Sequence, residues 1–344
     1  MPDAAAAAVP ALGGRHLAVG SHGVLRVAAL EGGELRESTG DGALARLRSL
    51  RHPTAPGLWI DYTGPSPEQV AQLGEVLDLH PLIVEDIVEG NQRSKIEATD
   101  GLVHIVMFAL EYRDTVVASE IDLVLGRDFL LTVHDEDWNP RQTSHLRAET
   151  PAILAHGPDH VLWALSDSIV DNYFPFADRL GDAIDALQDD VIGGAHPAAL
   201  QRLFQLKREL IEVRRAVAPV REIFNQLANR ELGLVDADET IYFRDIYDHL
   251  IRLTDELDTY RELVSGTLEV YLSQVNNSLS LIMKRLTGVT VIVAGIGAVA
   301  GIFGMSEAGA ALSGREADGF WTVVAITVLA SAVIALILRR IDWI

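Results

Sequence analysis

Two long runs near the C-terminus carry no charge at all. Leu286 to Ser306 reads LTGVTVIVAGIGAVAGIFGMS, and Phe320 to Leu338 reads FWTVVAITVLASAVIALIL. An α-helix needs roughly 20 apolar residues to cross a hydrocarbon layer. A single run of this kind would suit a buried core helix, but two of them 13 residues apart predict a membrane hairpin. Lys284 and Arg285 precede the first run, and Arg339 and Arg340 follow the second. The connecting loop, Glu307 to Gly319, holds Glu307, Glu316 and Asp318 against Arg315. The bias of basic residues towards the cytoplasm then places both termini inside and the loop outside. The opening MPDAAAAAVPALGG has an acid, no basic stretch and no long apolar run, so it does not read as a signal peptide.

Composition narrows the rest. The 344 residues carry 28 basic and 49 acidic side chains, a net charge of −21, and no cysteine. A phosphate backbone is held by clustered Lys and Arg, so nucleic acid is a poor partner for this chain. Without Cys there is no disulfide framework, thiolate chemistry, Fe–S cluster or Cys-ligated zinc. No H-E-x-x-H, G-x-x-x-x-G-K-[ST] or nucleophile elbow occurs, so neither an enzyme nor a nucleotide-driven pump is expected. The segment VIVAGIGAVAG, Val291 to Gly301, imitates a dinucleotide fingerprint. Only 43 residues follow it and the second apolar run takes 19 of them, so no βαβ unit can form. Gly297 and Gly301 read instead as a small-xxx-small pair that lets membrane helices approach closely.

Upstream, residues 13–160 mix short β-rich runs with short helices and predict an α+β domain. Leu58 to Tyr62 is strand-like, and Leu102–Leu110, Val116–Leu125 and Phe129–Val133 read as an antiparallel meander with a turn at Gly126-Arg127-Asp128. Ser66-Pro67-Glu68-Gln69 is a capped helix start, and Pro81 opens another helix through Glu89. Residues 161–285 read as a helical stalk. Asp178–Ile192 and Leu200–Glu231 are helical, with Pro219 expected to kink the second or sit at a subunit contact. From Ile241 onward apolar residues recur at helical spacing, and no Pro interrupts before Phe303, so one helix should run from cytoplasm into membrane. Some 60 residues at ~1.5 Å each make a helix near 90 Å. A helix that long needs lateral partners, and two membrane helices alone make no pore; both point to a symmetric homo-oligomer. His156 and His160 flank Gly157-Pro158 and read as loop histidines rather than a helical metal pair.

The chain resembles the CorA-type divalent-cation transporters, the magnesium and cobalt channel family that includes ZntB-like zinc transporters. The resemblance rests on HPLIVEDIVEGNQRSKIE (His80 to Glu97), on the helical stretches Ile169–Ile192 and Tyr242–Thr287, on GIFGM (Gly301 to Met305) at the end of the first apolar run, and on the closing RRIDWI. It implies a funnel-shaped homopentamer in a bacterial inner membrane, with an α/β/α cytoplasmic domain and two membrane helices per subunit. The segments become a tail (1–12), the α/β domain (13–160), the stalk (161–285), a first membrane helix (286–305), an outer loop (306–319), a second membrane helix (320–338) and a basic tail (339–344). The family's signature Gly-Met-Asn is Gly304-Met305-Ser306 here, followed by Glu307. A ring of Ser hydroxyls can accept hydrogen bonds from a hydrated cation, and a ring of Glu307 carboxylates would concentrate cations at the mouth.

Stepping by three and four from Met283 gives Leu286, Thr290, Ala294, Gly297, Gly301 and Gly304 on one uncharged helix face. This face either lines a pore or packs helix against helix. The resemblance assigns it to the pore, with Met283 and Leu286 as a hydrophobic gate that closes by dewetting. It also implies a regulatory cation site between neighbouring subunits, with Asp86 and Asp245 as its acids. Glu231 to Glu262 holds ten acids against three Arg, which lowers the local potential. The expected activity is passage of Mg²⁺, with Co²⁺ or Ni²⁺ as further cargo, down its electrochemical gradient. The bilayer and divalent cations are the partners, and no cofactor is expected beyond Mg²⁺ as transported and regulatory ion. Two rival readings keep the architecture: a ZntB-like zinc carrier, and a membrane-anchored cation sensor that does not conduct.

Overall fold

Tight turns and alternating apolar residues build a seven-stranded sheet. In this computed structural model, residues 23–50, 57–90, 92–113, 115–194, 196–229, 233–304, 316–340 and 343 are described. The strands are β1 (Val24–Glu31), β2 (Glu34–Thr39), β3 (Leu58–Thr63), β4 (Lys95–Thr99), β5 (Leu102–Arg113), β6 (Thr115–Leu125) and β7 (Phe129–His134). Their order is β2-β1-β3-β7-β6-β5-β4, and β3 and β7 run parallel while every other neighbouring pair is antiparallel. The expected meander is therefore β5-β6-β7, with its turn at residues 126–128. Between β4 and β5, Asp100 and Gly101 both take positive φ (51° and 81°), the conformation a two-residue hairpin requires.

Helices cover both faces. On one, α1 (Asp41–Ser49), α2 (Pro67–Leu77) and α3 (Pro81–Glu89) set Leu47, Val70, Leu73, Ile83 and Ile87 against Val27, Ile60, Val124 and Leu131 of the sheet. On the other, α4 (Ser144–His156) and α5 (Pro158–Asp171) pack, with α5 against β3, β6 and β7. The α2 start is the expected one: Ser66 caps Gln69 N, and the Gln69 side chain returns the bond to Ser66 N at 2.9 Å. For α3, Pro81 sits in the first turn, His80 Nδ1 accepts from Leu82 N, and Gly90 ends the helix at φ 53°.

Three long helices follow: α6 (Tyr173–Gly193), α7 (Pro197–Ala228) and α8 (Thr240–Gly304). Phe224 stacks on Phe243, Leu250, Leu253, Leu257 and Val264 are buried, and Arg214 Nε donates to Asp258 Oδ1 at 2.8 Å. α7 runs through Pro219 as a single helix. α8 is the continuous helix that the apolar spacing predicts. The last helix, α9 (Glu316–Arg340), contains the second apolar run and takes Glu316 and Asp318 into its first turn.

The chain divides into two compact units, Met1–Leu187 with Gln201–Ser265, and Gln188–Leu200 with Gly266–Ile344. The sheet and the polar clusters described below belong to the first, and the apolar ends of α8 and α9 to the second.

Candidate cation sites

The residues stepped from Met283 all fall in the second half of α8, which is helical through Gly304. At 100° per residue, Met283, Leu286, Thr290, Ala294, Gly297, Gly301 and Gly304 fall within an arc of about 80°. The bulky β-branched residues Val289, Val291, Ile296 and Ile302 lie outside that arc. Met283 and Leu286 are 68% and 65% exposed. Thr290 Oγ1 donates to Leu286 O at 2.7 Å, which satisfies its proton and leaves its oxygen as an acceptor along the face. A Cβ built on Gly297 or Gly301 meets nothing within 4 Å. Among the described residues α8 is the one helix long and apolar enough to cross a membrane, and little of its most apolar stretch is covered by the rest of the chain. Trp321, Ile326, Leu329 and Leu336 of α9 are exposed as well. Apolar surface on this scale has to be covered by lipid or by other copies. Met305, Ser306 and Glu307 lie outside the described residues.

In the first unit, two groups of ligand-bearing side chains stand out. Asp167 and Asp171 lie one turn apart on α5, and His249 on α8 joins them; one ligand atom from each falls within 4.8 Å of the others. His145 Nε2 lies 2.8 Å from Asp167 Oδ2, and Asp245 Oδ2 lies 3.8 Å from His249 Nε2. Burial pushes the Asp171 carboxyl above its ordinary value; the negative charge of Asp167 adds to this, and Asp245 adds a little more, against His249 and His145. Crowded carboxylates of this kind are relieved by a divalent cation. Asp245 is 67% exposed, so it has room to serve a neighbouring molecule. Asp167, Asp171 and His249 were not singled out from sequence. Their signal was present as two i,i+4 pairs, Asp167/Asp171 and Asp245/His249, each on one helix face.

Asp86 sits differently. It projects from α3 to the edge of the sheet, where Lys95 Nζ donates to its Oδ2 at 2.6 Å and also lies 3.3 Å from Glu97 Oε2. Burial opposes the Lys95 charge, but the hydrogen bond and charge of Asp86, then of Glu97, outweigh it and hold the ammonium above its ordinary value. Asp86 and Asp245 are not in contact with each other within the protomer among the described residues.

The histidine expectation fails. His156 ends α4 and His160 lies in α5, and their rings stack at 4.6 Å. Gly157, at φ 123°, caps both helices and folds one back on the other, so neither residue is in a loop. His160 Nδ1 bonds Glu239 Oε2 at 2.7 Å.

Comparison with known proteins agrees with this architecture. The family described as CorA-like Mg2+ transporter protein matches residues 56–340. The cobalt/magnesium transport protein CorA of Thermotoga maritima is 34% identical over 254 residues, 72% of either chain. The putative metal ion transporter YfjQ of Bacillus subtilis is 28% identical over 262 residues, 76% of this chain and 82% of that one. The complete structure of the CorA magnesium transporter from Methanocaldococcus jannaschii superposes with a TM-score of 0.76 at 21% identity, covering 95% of this chain and all of the other.

Proposed function

Since the chain belongs to the CorA-like Mg²⁺ transporter family, we propose that it conducts divalent cations, Mg²⁺ foremost and Co²⁺ with it, as a homopentamer in a membrane. It is a transporter and not an enzyme. The observation that carries this reading is the second half of α8, apolar and exposed, with one uncharged face of small residues along it. Repeated around an axis, that face lines a path wide enough for a hydrated ion. Met283 and Leu286 form the apolar constriction that closes it by dewetting. α9 supplies the second crossing and returns the basic tail to the cytoplasm. At the outer mouth, Gly304, Met305, Ser306 and Glu307 recognise the hydrated ion. Mg²⁺ sheds water reluctantly, so contact through its water shell by hydroxyls and carboxylates is the fitting chemistry.

Cytoplasmic cation controls the gate. Asp245 and Asp86 meet from neighbouring subunits, with Asp167, Asp171 and His249 gathered behind Asp245. A divalent ion there cancels the repulsion and holds subunits together in the closed state, and its loss lets them part. The name of the Thermotoga maritima relative, a cobalt/magnesium transport protein, favours this reading over zinc carriage, and the intact small face favours conduction over a non-conducting sensor.

Uptake by liposomes holding the purified chain tests it. Mg²⁺ should enter above the level of empty vesicles, with Co²⁺ competing. Uptake equal to empty vesicles leaves only the sensor, and Zn²⁺ competing at far lower concentration than Co²⁺ points to a zinc carrier.

A further inference from the structure

Around Lys95 the strand register concentrates polar chemistry on one face of the sheet. Glu97 pairs with His104 across β4 and β5, Lys95 pairs with Val106, and Val106 pairs with Asp122 across β5 and β6. Side chains two apart or directly opposite share a face, so Lys95, Glu97, His104 and Asp122 all project to the same side. That is the side α3 covers, and α3 brings Asp86 to them.

His104 is fully buried, and its two nitrogens have different surroundings. Nε2 lies 2.7 Å from Asp122 Oδ1, so its hydrogen goes to that carboxylate. Nδ1 is then left as an acceptor. It has no hydrogen-bond partner and lies 4.0 Å from Asp86 Oδ2, which is itself an acceptor. The buried Nδ1 and the part-exposed Asp86 carboxylate are both acceptors, an arrangement that a cation between or beside them relieves. Lys95 supplies one to Asp86 and Glu97. One ligand atom each from Asp86, Glu97 and His104 falls within 4.8 Å of the others.

We infer that Asp86, Glu97 and His104 form a binding site for a borderline-soft divalent metal such as Co²⁺, Ni²⁺ or Zn²⁺, with Lys95 as a tethered competitor for the same carboxylates. The donor set decides the class of ion. One imidazole with two carboxylates suits transition metals, whereas Mg²⁺ prefers oxygen and water. Asp122 holds the ring by its far nitrogen, the arrangement that orients a metal-bound histidine. Binding needs only that the ammonium swing out on its flexible stem. It also fixes Asp86 within its own subunit, so a transition metal and Mg²⁺ compete for that carboxylate. The site stands apart from the transport reading, because it is intramolecular and is read without flux.

The test is Co²⁺ titration of the full-length protein in detergent, followed by the visible absorption of the bound ion. The background variant is His249→Ala, which removes the imidazole of the other cluster. One saturable Co²⁺ per subunit is expected, with the intense bands of a low-coordinate nitrogen-ligated ion, at an apparent affinity that excess Mg²⁺ lowers by competing for Asp86. His104→Asn should abolish these bands, Asp122→Asn should weaken binding roughly tenfold or more, and Lys95→Met should tighten it about tenfold. Should His104→Asn fail to fold, Lys95→Met decides alone. Bands that survive His104→Asn, or an affinity unmoved by Lys95→Met, overturn the inference. Absence of Mg²⁺ flux would instead overturn the transport reading and leave this one standing.

Discussion

His160 on α5 and Glu239, the residue just before α8, are joined by a 2.7 Å bond between Nδ1 and Oε2, and both side chains are buried. Beside it, Asp159 Oδ2 accepts from Asp236 N at 2.9 Å. The start of the longest helix is thereby fixed to the helix that carries Asp167 and Asp171. His160→Ala leaves Glu239 buried without its partner, which should cost about 3 kcal/mol. Unfolding of the purified protein measures this, and a loss below about 0.5 kcal/mol would be no more than a surface substitution gives.

Acid should weaken the sheet through Asp61. Burial alone would push this carboxyl up, but the hydrogen bond and charge of His134, then Thr132 and Arg26, hold it below its ordinary value. A depressed carboxyl stabilises the fold above its unfolded value, and that contribution is lost as pH falls through the folded one. Stability should therefore decline below about pH 4, and Asp61→Asn should flatten part of that decline. An unchanged acid slope in the variant would contradict the assignment.

The face proposed to line the pore can be separated from folding at Gly297. A Cβ there meets nothing within the protomer, so Gly297→Leu should leave the stability of the sheet-bearing unit unchanged while blocking ion passage. Uptake reduced at least about tenfold at normal expression is the expected outcome. Unaltered uptake would place the path elsewhere.

Asp245→Ala and Asp171→Asn should each weaken the effect of cytoplasmic Mg²⁺. Protection of the stalk from protease should need roughly tenfold more Mg²⁺ in either variant, the scale of losing one carboxylate ligand. Protection at unchanged Mg²⁺ would remove these residues from gating.

Much of this architecture is legible because it depends on local chemistry. The Ser66–Gln69 capping box, Pro81, and the unbroken apolar spacing of α8 each declare an element from a few neighbouring residues. What escapes is long-range. The parallel pairing of β3 with β7 joins residues 71 apart, and nothing in either strand names its partner. The Asp167–Asp171–His249 cluster spans two helices, so only its i,i+4 halves show in the sequence. Lys95 on Asp86 depends on α3 folding over the sheet edge, which spacing alone does not reveal. His156 and His160 mislead because Gly-Pro marks a chain break equally well between two helices and within a loop.

The most direct test of the central claim is Mg²⁺ uptake into vesicles under an imposed membrane potential. At about 100 mV, inside negative, a divalent ion gains about 4.6 kcal/mol on entry. Uptake should rise steeply with that potential and fall when its sign is reversed. Uptake indifferent to the sign, or no greater than in vesicles without the protein, would contradict a gradient-driven divalent-cation channel.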